Sequence, residues 1–280
     1  MDTAHLHRSA RACCSLPCIM SLGTGTPQFS VSRSAFMLMT LAIERNRRAF
    51  SSIKLVTDER GAAIALALGW DIEIEILRFI EESNAWALPK FQAILQQPGA
   101  CAHVDNDAMF IKTPPIELEN APLFAQNLDK EEYYQSFDMS LAILEMGMQF
   151  GGRAYNGGII GGANKELLDE YCRDSIALAR RVIGKGINGT TSSMACEQYH
   201  LATFADLKGV EVYTICSESP DIEETERVGW IHLHGKSKRD ADNIARVEAR
   251  LSSSFPSALA KFEQGWLDLC KGPEADNIRE

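Results

Sequence analysis

Apolar positions recur with helical spacing from Ser32 onward, where Phe36, Met37, Met39, Leu41 and Ile43 precede Arg45, Arg47 and Arg48. Cations in a last turn suit the negative end of a helix dipole. Ile53 to Thr57 reads as a short buried strand ending at Asp58, and the helix after it runs through Ala62 to Leu68 and stops at Gly69. Glu73 to Leu77 alternates as a strand does. Ala87 to Gln97 is amphipathic with helical period and closes on Pro98-Gly99. Ala100 to Val104 is a strand that runs directly into Asp105-Asn106-Asp107. Strand and helix alternating in this way predict an α/β fold, with a mostly parallel central sheet flanked by helices.

The second half is less regular. Pro114-Pro115 and Pro122 interrupt it, Leu123 to Gln126 fits a strand, and Ser140 to Met148 fits a helix. Tyr155-Asn156-Gly157-Gly158-Ile159-Ile160-Gly161-Gly162 precedes a helix over Lys165 to Ile183, and Gly184, Gly186 and Gly189 mark a loop. A helix over Cys196 to Phe204, a strand over Val210 to Ile215 and a last strand over Trp230 to His234 follow. Ala241 to Leu269 is helical in pattern, with an acidic tail after Gly272. Residues 1–20 carry arginines, histidines and three cysteines but little core pattern. They read as a loose leader, with a transit peptide as the alternative. Residues 21–240 form one domain in this reading, and residues 241–280 a helical extension.

With 280 residues, 45% hydrophobic and 24% charged, the chain is globular in composition, which excludes a disordered or collagen-like protein. Its longest apolar stretches, such as Ala62 to Trp70, fall short of the ~20 residues a bilayer crossing needs, so no transmembrane segment is expected. The net charge is −10 without a basic stripe, which argues against a nucleic-acid partner. An acidic chain that binds a phosphate-bearing ligand needs a bridging divalent cation. None of the eight cysteines forms a Cys-x-x-Cys pair. Reduced thiols and a cytoplasmic location follow, rather than a disulfide framework or a zinc ribbon.

Two carboxylates, Asp105 and Asp107, stand two positions apart where a parallel strand leaves the sheet, the edge at which such folds bind ligands. Hard oxygen donors suit Mn²⁺ or Mg²⁺, which also hold substrate phosphates; a surface Asx turn is the alternative. His232 and His234 share one strand face and are followed by Gly235 and Lys238. A neutral imidazole completes many carboxylate-bound metal sites, and an ammonium neutralises phosphate. The same residues also fit half-exposed strand histidines beside a solvated lysine. Asn156 offers the donor and acceptor a sugar hydroxyl needs, and Gly157-Gly158 permit close approach of a ligand or simply a tight turn. Glu197-Gln198 fall near a helix start, where a solvated surface pair is the plainer reading.

In order, Asp-x-Asp after a strand, Asn-x-Gly, an acid–Gln pair on a helix and His-x-x-Gly-x-x-Lys resemble the retaining glycosyltransferases of the glycogenin and galactosyltransferase type. Trp86-Ala87-Leu88-Pro89-Lys90, His103 to Asp107 and Tyr155 to Ile159 are similar to related bacterial proteins with a sugar-binding Asp-x-Asp region. The resemblance spans about Ser51 to Lys238. It implies a GT-A-like nucleotide-diphospho-sugar transferase fold and transfer of a sugar from a nucleotide-diphosphate donor, UDP-sugar favoured, to a glycan or small-molecule acceptor, with retention of configuration. It further implies that Asp105, Asp107 and His232 bind Mn²⁺ (or Mg²⁺), with Asn106, Gly235 and Lys238 beside the diphosphate. Asn156, Gly157 and Gly158 would face the donor sugar, Glu197 and Gln198 would lie near the reaction centre, and Lys90 and Asp58 would join the donor-binding set. Three departures stand out: Glu197 where Asp is frequent, Arg239-Asp240 where Pro-Trp is usual, and no evident opening strand over Met20 to Thr26.

Two other functions fit parts of the pattern. Haloacid-dehalogenase-like phosphatases use Asp-x-Asp, but after their first strand rather than mid-chain. A nucleotide-sugar-binding protein without catalysis would keep the same ligand groups.

Overall fold

The computed structural model describes residues 13–24, 31–78, 85–129, 153–187, 189–218, 220, 222–272 and 278–279. In chain order come β1 (Cys14–Leu22), β2 (Val31–Ser32), α1 (Arg33–Ala49), β3 (Phe50–Thr57), α2 (Glu59–Ala67) and β4 (Glu73–Ile76). Then follow α3 (Leu88–Leu95), β5 (Cys101–Val104), β6 (Ala108–Phe110), β7 (Leu123–Ala125), β8 (Leu128–Asp129), β9 (Ala154–Tyr155) and β10 (Ile159–Gly162). The last part holds α4 (Lys165–Gly184), α5 (Gly189–Met194), α6 (His200–Lys208), β11 (Val212–Thr214), α7 (Ile222–Val228) and β12 (Trp230–His232), then α8 (Ala241–Ser254), α9 (Pro256–Leu269) and β13 (Ile278–Arg279). Residues 1–12 of the expected leader and the expected helix over Ser140 to Met148 lie outside the described residues.

Among the described residues, seven strands form the main sheet in the order β11-β7-β10-β5-β1-β3-β4. All neighbours run parallel except β10, which is antiparallel to both β5 and β7. The mostly parallel α/β architecture expected from the sequence is therefore present. The side-chain period of two divides the strands between two cores. Cys14, Leu16, Cys18, Met20 and Leu22 of β1 face a layer that includes Met37, Ile43, Val247, Leu251 and Phe262, from α1, α8 and α9. Ile19 faces the other layer with Phe91, Leu168 and Phe204, from α3, α4 and α6.

Two sequence expectations are corrected. Cys14 to Met20, placed in a loose leader, form most of β1, which pairs with β3 on one side and β5 on the other. The missing opening strand is this same strand, running to Leu22. The helical stretch from Ala241 to Leu269 is two helices broken at Phe255, whose backbone leaves the helical region just before Pro256 starts α9. All eight cysteines are free thiols. Among the described residues, no helix is long and apolar enough to cross a membrane.

Candidate metal centre and ligand cavity

The carboxyl end of β5 delivers Asp105, and its backbone N–H bonds to the Gly158 carbonyl at 2.9 Å. Asp107 lies on the short turn into β6. That strand pairs antiparallel with β12, in a register that sets His232 opposite Ala108, and the Leu233 N–H caps the Asp107 carbonyl at 2.9 Å. A two-strand ribbon thus carries an imidazole back across more than a hundred residues to the two carboxylates. One ligand atom each from Asp105, Asp107 and His232 lies within 4.8 Å of the others.

The imidazole is oriented from behind. His232 Nδ1 lies 2.7 Å from the Gln126 amide oxygen, an acceptor, so Nδ1 donates and Nε2 keeps its lone pair when the ring is neutral. Nε2 in turn lies 3.3 Å from Asp107 Oδ1. Two acceptors at that distance need a cation between them, a proton or a metal ion. The donor set, two carboxylates and one imidazole, suits a divalent cation. Lys238 Nζ holds the other Asp107 oxygen at 3.1 Å. Burial alone would raise the Asp107 carboxyl, but the hydrogen bond and charge of His232 and the Lys238 ammonium outweigh it and hold Asp107 well below the usual carboxylate range.

A second polar cluster adjoins the first. Lys90, which is 3% exposed, places Nζ 2.7 Å from Asp105 Oδ1, 2.5 Å from Glu197 Oε1 and 2.8 Å from the Gly157 carbonyl. Burial would discharge this ammonium, but Asp105 and Glu197 more than offset it and keep the lysine above its ordinary value. Burial pushes the Glu197 carboxyl up to about 7, against the opposing pull of Lys90. Among the described residues, Glu197 Oε2 has no hydrogen-bond partner. Residues 195–199 form a π turn between α5 and α6, a local irregularity frequent at functional sites. The glycines are fixed by crowding: a Cβ at Gly157 would collide with the Glu197 carboxylate, and one at Gly158 would meet His232 Nδ1 at 2.5 Å.

Both clusters border a cavity of about 520 Å³, lined among others by Trp86, Lys90, Asp105, Asp107, Asn156 and His232. Asn106, Gly158, Gln198, His234, Gly235 and Lys238 complete the expected residues on its wall. Gly235 turns the chain after His234 with a φ of +58°, a conformation that favours glycine. Asn156 donates to the Asp129 carboxylate at 3.3 Å and accepts from the Gly158 N–H at 3.0 Å. Three expected residues stand apart from the wall: Gly157, which packs against the Glu197 carboxylate, Glu197 itself and Asp58. Glu197 is fully buried behind Lys90 rather than at a solvated helix surface. Asp58 caps α2 through the Gly61 N–H at 2.7 Å, and it accepts from the Thr24 N–H and hydroxyl at 2.6 Å each. Its carboxylate is occupied with structure, because helix starts leave N–H groups that need such an acceptor.

Several contributors carry no signature in sequence. Gln126 lies one residue past β7 in an unremarkable stretch. Ser21, at the end of β1, reaches His103 Nε2 at 2.8 Å, and its carbonyl accepts from Asn106 at 2.9 Å. Neither position belongs to a motif, and only the strand order brings them to the site.

Fold and site together define an α/β protein with a two-carboxylate, one-imidazole cluster at the end of a parallel strand. Over residues 27–264 the chain matches DUF6734, a family of unknown function, and it belongs to that family. No curated protein matches it. Among solved structures it is similar to the galactosyltransferase LgtC in complex with donor and acceptor sugar analogs, at 11% identity and a TM-score of 0.46, covering 88% of this chain and 100% of that chain.

Proposed function

We propose that this chain is a divalent-metal-dependent glycosyltransferase that moves a sugar from a nucleoside-diphosphate donor, a UDP-sugar foremost, to a glycan or small-molecule acceptor. The observation that carries the reading is the convergence of Asp105, Asp107 and His232 on one point at the wall of a cavity with Asn156 and Lys238. The motif order along the chain supports the same class and favours retention of configuration.

Asp105, Asp107 and His232 would hold the metal, Mn²⁺ or Mg²⁺. When bound, it neutralises the charge that develops on a departing diphosphate. Lys238, half-exposed at the cavity rim, adds a mobile positive charge for the same phosphates once Asp107 is engaged by the cation. Lys90 anchors Asp105 from the buried side and fixes its carboxylate before ligand arrives. Asn156 is held by Asp129 and Gly158 with its amide on the cavity wall, positioned for a sugar hydroxyl. Gln198 presents its amide to the same space from the π turn. Glu197 acts through Lys90, balancing the buried charge.

The test is turnover of UDP-, GDP- and CMP-sugars with and without Mn²⁺, read as nucleotide release. Asp107→Ala is expected to lower metal-dependent release by roughly 10²–10³-fold, the scale of losing one charge-stabilising group, while the thermal melt stays cooperative. Full activity in that variant overturns the proposal. Metal-dependent donor binding with no release in the native protein assigns the chain instead to nucleotide-sugar binding without catalysis.

A further inference from the structure

The β6–β12 ribbon has two sides. His232 faces the metal cluster, while Met109, Ile111, Ile231 and Leu233 line a separate cavity of about 820 Å³ between the ribbon, α1 and α8. Leu41 and Val247 complete its apolar floor. Its polar wall is cationic: Arg45 from α1, and Arg246 and Arg250 one turn apart on α8. Among the described residues that line it, none is acidic.

Among the described residues, these three guanidiniums have no carboxylate partner. Arg33, Arg47, Arg153 and Arg227 each reach an acid within 4 Å, but among the described residues no ion pair involves Arg45, Arg246 or Arg250. Arg45 Nε is buried and, among the described residues, has no hydrogen-bond acceptor. Burial, then the Arg250 and Arg48 charges beside it, lower the Arg45 guanidinium from its ordinary value. Arg45 also lies over the Phe255 ring, 5.1 Å from its centroid, and with the exposed Arg246 and Arg250 beside it the hollow gathers three positive charges in a chain of net charge −10, a local field that draws an anion. Guanidinium groups favour planar or tetrahedral oxyanions, which they bind in bidentate fashion. A bare anion would leave the floor of Leu41, Met109, Ile231, Leu233 and Val247 uncovered.

We infer that this second cavity binds an amphiphilic anion, a phosphate head on a hydrocarbon body, taken one molecule at a time. The head sits among Arg45, Arg246 and Arg250, and the apolar body lies along the ribbon. The site is independent of the metal cluster, so it stands or falls separately from sugar transfer.

The probe is dodecyl phosphate below its micelle-forming concentration, titrated calorimetrically into the full chain. Inorganic phosphate and a neutral dodecyl glycoside serve as the two controls. Saturable binding of one dodecyl phosphate per chain is expected, with both controls weaker by roughly tenfold or more. Arg246→Glu combined with Arg250→Glu changes two exposed residues of α8. It should weaken dodecyl phosphate binding at least roughly tenfold without moving the thermal melt or the Mn²⁺ affinity. Equal binding of inorganic phosphate overturns the apolar half of the inference, and equal binding of the neutral glycoside overturns the charged half. Unchanged binding in the double variant removes the ligand from this cavity, and binding only to acidic vesicles replaces a single-molecule site with a membrane surface.

Discussion

The chemistry rests on pairs of side chains in which one orients the other. Gln126 is the clearest case, because its amide oxygen decides which nitrogen of His232 carries the proton and so which one faces Asp107. Gln126→Ala frees the ring to rotate and leaves Nδ1–H without its acceptor. Groups behind a metal ligand typically contribute about 10–100-fold in metal affinity, and a loss of that size in a calorimetric Mn²⁺ titration is expected, with the fold intact. An unchanged affinity would show that His232 needs no such support. The residue scale is also where the sequence was most informative. Asp105, Asp107 and His232 were legible because carboxylates at spacing i, i+2 after a strand, and an imidazole before Gly235 and Lys238, are chemically unusual neighbours. Gln126 was not, since an amide after a strand has many ordinary uses. Asp58 misled for the opposite reason: a carboxylate at a strand end serves a helix N-terminus as readily as a ligand.

At the scale of elements, the helices on one face of the sheet carry a built-in acid sensitivity away from the site. His200 opens α6, stacks on Tyr171 of α4 at a ring separation of 5.6 Å and bonds to Ser175 Oγ at 2.9 Å. Burial lowers its pKa to about 4, only partly countered by Asp174. The unfolded chain therefore takes up this proton first as pH falls from about 6.5, the ordinary value of a free imidazole, and stability drops until the folded state titrates near 4. The contribution is complete above pH ~6.5, and its loss amounts to about 3 kcal/mol by pH ~4. His200→Gln keeps a polar group near Ser175 but cannot titrate. Urea unfolding of this variant between those two limits should show a flatter pH dependence than the native chain, and identical slopes would place the proton uptake elsewhere. Element type was largely legible here, since α4 and α6 follow apolar periodicity. The π turn over 195–199 was not, because periodicity registers an inserted residue only as a small phase shift.

For the molecule as a whole, the site exists only because distant segments share one sheet. Asp105 and Asp107 follow β5, the His232 ribbon crosses back from β12, and Lys90 and Glu197 meet from α3 and the π turn. Alternation of strands and helices made the α/β class readable, but strand order is a property of long-range pairing that local pattern does not encode. The largest consequence concerns β1. Its sequence, Cys14-Ser15-Leu16-Pro17-Cys18-Ile19-Met20, looked like leader because proline and cysteine interrupt the usual β-branched run. In the sheet this strand lies between β5 and β3, with Cys14, Cys18, Ile19 and Met20 fully buried. Removing residues 1–22 therefore deletes both ladders that hold the two halves of the sheet together and exposes both cores at once. Each large apolar side chain lost from such a position forfeits about 1.5–3 kcal/mol, and the four in β1, Leu16, Ile19, Met20 and Leu22, rival the about 5–15 kcal/mol by which a typical domain is stable. A chain beginning at Gly23 is thus expected to show no cooperative thermal transition by circular dichroism and no Mn²⁺ binding, because Ser21 and the strand that aligns Asp105 are gone. A native-like melt from that truncated chain would show that the sheet closes without β1, and the parallel pairing on which the candidate metal centre depends would have to be redrawn.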